Sequence, residues 1–372
     1  MGKILPTLTR RIWALCFLLV MVAGVYAAYE RLHTVLSSPD PELDLPWSLP
    51  AALNVVCGIA LAAGGFAVAV TIRVLRIESA QSLLRAGVVS AFLGYLVACL
   101  GFVADQTVLK RICAGNSNWT ATGATFAINF AFVLFGLSVL AEFAPDVYLP
   151  RRWKAFADVL AFIRTPLLCL SVGISLLYQS IVANALRLST NASRFWASPW
   201  LAFLFFMSGT CTALAAGIMA YLHAQRSSPN PPNLKLLEGV RRTLATLLFL
   251  YIQARLADLL ERGQLPLLHA DRVSSLLAIE TALFVVPMLV LASQHLPNPA
   301  VVYYCGAMIL AGFLCNRLNT FITSLEVGGQ SPHLPTWHEF AISFSIIAVG
   351  LAAFHLLTNR PSGVGFSRVQ ET

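Results

Sequence analysis

A chain of 372 residues that is 58% hydrophobic and only 11% charged, with a mean hydropathy of +0.74, excludes a soluble globular domain and leaves a polytopic membrane protein. The net charge of +8 does not point to nucleic acid, because the basic residues flank apolar runs instead of clustering. Eight cysteines, mostly inside apolar runs and never in a CxxC pair, read as small packing residues.

A bilayer core takes about 20 apolar residues per helix. The first predicted span, Arg11 to Leu32, follows Lys3 and Arg10; lacking a small-residue cleavage site and followed by further spans, it reads as a helix, not a signal peptide. The second, Leu49 to Val74, holds Gly58, Gly64 and Gly65, which suit close helix packing. Leu83 to Ala104, Ala121 to Phe143 and Phe156 to Leu186 follow, the last interrupted by Arg164-Thr165-Pro166. Then come Pro199 to His223, and Leu236 to Leu260 with Arg241, Arg242, Arg255 and Asp258 inside it. Val273 to Ser293, Pro299 to Ser324 and Glu339 to Leu357 complete about ten spans. The fold class is therefore all-α: a single integral membrane domain over residues 1–372, with a polar, proline-rich inner loop near 224–234 as a flexible connector between two halves.

An even number of spans puts both termini on one side, and the basic residues select it. The side that holds Lys3, Arg10, Arg11, Arg73, Arg76 and Arg85 is about twice as rich in Lys and Arg as the other, so both termini are cytoplasmic by the positive-inside rule. With that orientation the intramembrane polar residues gather at the outer side: Asp105, Arg255, Asp258, Asn316, Arg317 and Asn319 at outer helix ends, and Trp47, Asn54, Trp196, Glu280 and Glu339 at outer helix beginnings. Glu142 is the exception at an inner end.

An ionisable group in lipid costs several kcal/mol unless it is paired or hydrated, so this group is a functional-site candidate. The bland alternatives are that Arg317 snorkels to a headgroup and that Glu339 is a helix N-terminal charge. Arg255 and Asp258, three apart, share a helical face and pair with each other or with Glu280 and Arg317 across helices. Of seven histidines only His355 lies well inside a span, which disfavours a b-type haem, and no cluster of Cys, His or carboxylates suits a metal. Two functional readings fit: a quinone pocket near one face, or a transporter site. A salt-bridged scaffold that anchors a redox complex is the structural alternative.

Five stretches carry a resemblance: Leu45 to Phe66 (LPWSLPAALNVVCGIALAAGGF), Arg194 to Phe205 (RFWASPWLAFLF), Tyr251 to Gly263 (YIQARLADLLERG), Gly312 to Asn319 (GFLCNRLN) and His333 to Ser343 (HLPTWHEFAIS). In this order they resemble the NrfD/polysulfide-reductase membrane-subunit family, in its ten-helix HybB-like branch of nickel–iron hydrogenase membrane subunits. The resemblance implies a haem-free subunit of the bacterial inner membrane, without an iron–sulfur cluster of its own. It would exchange electrons between the quinone pool, menaquinone or ubiquinone, and a ferredoxin-like iron–sulfur subunit on the periplasmic face, linked there to a catalytic or multihaem cytochrome partner. It also implies quinone-pocket or proton roles for Arg255, Asp258, Glu280, Arg317, Asn319 and Glu339, which fall at family-like positions. The candidates for proton exchange are Asp258, Glu280 and Glu339, and those for the quinone pocket are Trp47, Asn54, Arg255, Arg317, Asn319 and His338. The departures are Pro46-Trp47-Ser48-Leu49-Pro50 for the family's PWGLW, Asn54 for an acidic residue, Ala124, Phe126 and Ala127 where relatives carry a glutamate, and His333 for a tyrosine. They argue against proton translocation across the membrane and leave proton exchange with the outer side.

Overall fold

The structure, a computed structural model, describes residues 4–37, 50–104, 123–143, 151–188, 198–225, 231–263, 272–293, 298–326 and 336–358. Among these, ten long α-helices and no strands occur: α1 (Ile4–Ser37), α2 (Val56–Val74), α3 (Gln81–Val103), α4 (Gly123–Phe143), α5 (Arg151–Leu188), α6 (Leu201–Gln225), α7 (Leu234–Glu261), α8 (Arg272–Ser293), α9 (Pro299–Glu326) and α10 (Trp337–Thr358). A π-helical turn, Pro50–Val55, leads into α2, and a 3-10 turn, Glu78–Ala80, into α3. Nine of the helices are long and apolar enough to cross a membrane, and α4 adds a shorter apolar stretch, Val133–Glu142. Helices are the form such a sequence must take, because lipid offers no partner to a free backbone N–H or C=O. Each predicted span overlaps one long helix, and the second takes in the π-turn as well. The Arg164-Thr165-Pro166 interruption does not end α5, which runs through Pro166, as α8 runs through Pro287.

The helices close into two groups of four. Helices α2, α3, α4 and α5 pack in a ring, as do α6, α7, α8 and α9, and the two rings join mainly along α2 and α6. Helix α1 packs on α10, and that pair lies against α3 and the π-turn. Segment 224–234 links α6 to α7, two neighbours in the second ring. Its end is tethered: the Asn233 N–H donates to the Tyr221 hydroxyl at 2.9 Å, and the Asn233 side chain caps α7 by accepting from the N–H groups of Lys235 and Leu236. Residues 226–230 of that segment lie outside the described residues.

The seam between the rings is closed by small residues, as the glycines of the second span suggested. A Cβ on Gly64 would lie 2.3 Å from the Gly209 carbonyl of α6 across the seam, and within the first ring one on Gly58 would lie 2.2 Å from the Gly94 carbonyl of α3. The backbones touch where those side chains are missing. Within the first ring Phe66, Phe135 and Tyr95 form an aromatic core, with Phe135 4.8 Å from Phe66 and 4.9 Å from Tyr95 between ring centroids. The outward face of α1 is the reverse, with Leu18, Leu19, Val22 and Val25 exposed where lipid tails would lie.

Gly64→Ala is therefore expected to destabilise the purified protein by about 1–3 kcal/mol through overpacking. Gly173→Ala, with nothing within 4 Å of the new methyl, should leave the melting temperature unchanged or raise it slightly.

Candidate functional site

Helix α9 brings the strongest polar constellation into the seam. Asn316, Arg317 and Asn319 follow an apolar run on α9, and all three are at most 3% exposed. Asn316 and Asn319, three apart, share a helical face. Their amides converge on Glu280 of α8: Asn316 Nδ2 donates to Oε1 at 2.6 Å and Asn319 Nδ2 to Oε2 at 2.9 Å. Arg317 donates from Nη1 to Asn316 Oδ1 at 2.7 Å, so one amide links the buried cation to the buried carboxylate.

The guanidinium then reaches α6. Nη2 donates to Ser208 Oγ at 3.0 Å and to the Phe205 carbonyl at 3.3 Å, and the group lies 3.7 Å from the Phe205 ring centroid and 4.8 Å from that of Phe313. These are cation–π contacts in a site removed from water. Cys57 of α2, Tyr251 and Arg255 of α7, and Glu280 lie within electrostatic reach of the same charge. Tyr251 packs edge-on against Phe284 at 5.0 Å. Arg317 Nε has no hydrogen-bond partner among the described residues. Asn54, in the π-turn one helical turn before Cys57, is 0% exposed, and neither end of its amide has a partner there either. π-helical turns often mark functional sites.

The remaining expected residues separate from this constellation. Asp258, 2% exposed, does not pair with Arg255: it accepts from Arg262 Nε at 3.0 Å and Nη2 at 2.6 Å, one helical turn on, and from Ser198 Oγ at 2.5 Å. The i,i+4 geometry lets Arg262 fold back over the helix end, and Ser198 ties it to the start of α6 by accepting from the Trp200 N–H. Glu339 and His338 face α1. Glu339 accepts from the Thr336 N–H at 3.0 Å, the return half of a capping box, and lies 3.5 Å from Arg31. His338 bonds Glu30 and packs on Trp337 at 3.9 Å, and Trp337 stacks on Tyr26. The placement of Glu339 is that of a helix N-terminal charge, whereas Arg317 is buried and does not snorkel. Trp47, with Asp105, Trp196 and His333, lies outside the described residues.

The sequence placed Asn316 in the outer polar group but assigned the pocket and proton roles to Arg317, Asn319 and Glu280, whereas Asn316 makes the central link. The signal was present, since Asn316 and Asn319 share a face at the spacing needed to hold one carboxylate. Phe205, Ser208 and Cys57 gave none, being ordinary residues of apolar helices.

Comparison with known proteins adds an independent line. A family model described as polysulphide reductase, NrfD, matches residues 37–327. A relative from Escherichia coli, named probable Ni/Fe-hydrogenase 2 b-type cytochrome subunit, is 23% identical over 351 residues, covering 91% of this chain and 88% of its own length. A protein of Nitratidesulfovibrio vulgaris is 20% identical over 328 residues, covering 85% of this chain and 84% of its own length.

Arg262→Ala should strand Asp258 as a buried, uncompensated carboxylate and destabilise the protein by about 3–5 kcal/mol. Arg255→Ala should cost clearly less in the same thermal-unfolding series, which distinguishes the two candidate partners of Asp258.

Proposed function

Because the chain belongs to the NrfD polysulphide reductase family, we propose that it is the quinone-interacting subunit of a multi-subunit redox complex in the bacterial inner membrane. The observation that carries this reading is the Arg317 constellation: a fully buried guanidinium, bonded to neutral acceptors, with an open Nε–H in a seam lined by Phe205 and Phe313. An apolar slot with a few fixed donors is what a quinone head group requires.

Conversion of a quinone to a quinol takes up two electrons and two protons, and the reverse step releases them. In this reading Arg317 stabilises the negative charge that develops on a ring oxygen after the first electron. The Asn54 amide offers a donor, and Glu280, held by Asn316 and Asn319, exchanges a proton. The proton role falls on Glu280 because Asp258 is engaged by Arg262 and Glu339 by Arg31 and its own helix cap. Arg255 and Asn319 remain at the site, whereas His338 belongs to the α1–α10 contact. Electrons pass to or from a ferredoxin-like iron–sulfur subunit on the periplasmic face, joined to a catalytic or cytochrome partner, with both termini of this chain in the cytoplasm.

The Escherichia coli relative is named as a b-type cytochrome. A haem held between helices needs two histidines facing each other across a slot. His223 and His355 approach to 5.3 Å between ring centroids, but edge to face and exposed near the ends of α6 and α10. That arrangement does not fit a haem. The transporter alternative is weakened by α5 and α8, which run unbroken through their prolines, since transporter sites are typically built on interrupted helices.

The test uses the protein purified with its neighbouring subunits. Arg317→Gln should lower quinone-linked electron transfer by about 10²–10³-fold, the range seen when one preorganised donor to a developing charge is removed. Glu339→Gln should lower it by less than about threefold and lower the melting temperature instead. Wild-type transfer in an assembled Arg317→Gln complex would remove the basis of the assignment.

A further inference from the structure

We propose that Ser343 of α10 is a further quinone-binding residue, donating its hydroxyl proton in a hydrogen bond to the ring oxygen opposite the one that Arg317 meets. The inference rests on the quinone reading of the Arg317 site and adds α10 to its walls. Ser343 is the exception among the buried hydroxyls. It is 0% exposed, and its Oγ has no hydrogen-bond partner among the described residues. Every other buried Ser or Thr inside a described helix donates to a carbonyl three or four residues back, as Ser90, Ser208, Thr320 and Ser345 do. A hydroxyl buried without such a bond costs about 1–3 kcal/mol. A ligand oxygen placed there removes that cost.

The packing of α10 turns this residue inward. Ser345 lies against α1, where a Cβ on Gly24 would come within 2.3 Å of its side chain, and Ser343, two residues earlier, is on nearly the opposite side of the helix. Phe340 and Ile347, on the Ser343 side, pack on the main apolar core. Further along the same face, a Cβ on Gly350 would lie 2.8 Å from the Val97 side chain of α3. That face therefore meets α3 and the π-turn, both of which α10 touches.

The π-turn is the element that α9 and α10 share, and it carries Asn54, whose amide is likewise buried without a partner among the described residues. Depth can be compared along α3. Gly350 of α10 lies beside Val97 and Gly58 of α2 beside Gly94 and Ala98, while α10 runs with α6 so that His355 meets His223 near their last turns. Ser343 precedes Gly350 by seven residues and Asn54 precedes Gly58 by four, which puts the two within about 5 Å in depth at 1.5 Å per residue. Cys57, in electrostatic reach of Arg317, lies about one turn further in. The unpartnered groups thus run in the order Arg317 Nε, Asn54, Ser343 over about two helical turns. An internal water needs its polar partners around one point. A quinone ring, with oxygens on opposite edges, needs donors at two separated ones.

The experiment titrates the purified full-length chain with menadione and with decylubiquinone, a naphthoquinone and a benzoquinone probe, and reads Kd from the rise in melting temperature. Electron transfer in the assembled complex gives KM and kcat for the same probes. Ser343→Ala should raise Kd and KM about three- to tenfold, the worth of one neutral hydrogen bond, with kcat largely unchanged. Without quinone its melting temperature should stay the same or rise, because the hydroxyl removed had no partner. A structural serine behaves in the opposite way. Ser345→Ala, on the α1 side of the same helix, should leave Kd and KM unchanged. A lower melting temperature in quinone-free Ser343→Ala, or a misfolded variant, would overturn the proposal. Weakened binding in Arg317→Gln with full affinity in Ser343→Ala would overturn the assignment of Ser343 alone and leave it to an internal water. Full affinity in Arg317→Gln, or a native chain that binds neither probe, would overturn the quinone reading itself, and this inference with it.

Discussion

A buried arginine in a lipid-embedded bundle sets the terms for everything around it. Arg317 cannot reach water, so each of its donors must find an acceptor within the protein or on a ligand. Asn316 supplies one and, with its amide nitrogen, passes the connection on to Glu280. The cation and the carboxylate therefore balance each other without touching. A direct ion pair would quench both groups, whereas an intervening amide fixes them and leaves the guanidinium Nε without a hydrogen-bond partner among the described residues.

That arrangement depends on how closely the two rings approach. Gly64 and Gly209 let α2 and α6 meet backbone to backbone, which places Cys57 and Phe205 against the same charge from two sides. Bulkier residues in the seam would part the rings and admit lipid or water, weakening the electrostatics that make the site distinctive. The fold is thus a clamp on one charged group, built from helices that are otherwise uniformly apolar.

The spans were legible because bilayer thickness fixes the length of an apolar run, and Arg317 and Glu280 stood out because charge is rare in such runs. Partner choice was not legible. Asp258 has Arg255 three residues before it and Arg262 four residues after it, and either spacing puts two side chains on one face; only the fold shows that Ser198 and the helix end favour Arg262. The arrangement in two rings was not legible either. The polar stretch near 224–234 reports exposure to water, while ring closure is decided by which helix faces meet. His338 and Glu339 neighbour Arg317 in the motif series, yet they turn toward α1, a direction that no local pattern records.

The pairing of α1 with α10 bears on how the molecule is made. The Glu30–His338 contact joins residues 308 apart in sequence, so the first described helix enters the membrane long before its partner exists. Until α10 emerges, Glu30 and Arg31 must wait at the lipid boundary, and both rings can form in the meantime. Docking of this pair is then a late, topologically distant event in biogenesis. It would serve as the latch that marks a completed chain, with the slow step of assembly at the periphery and not at the site.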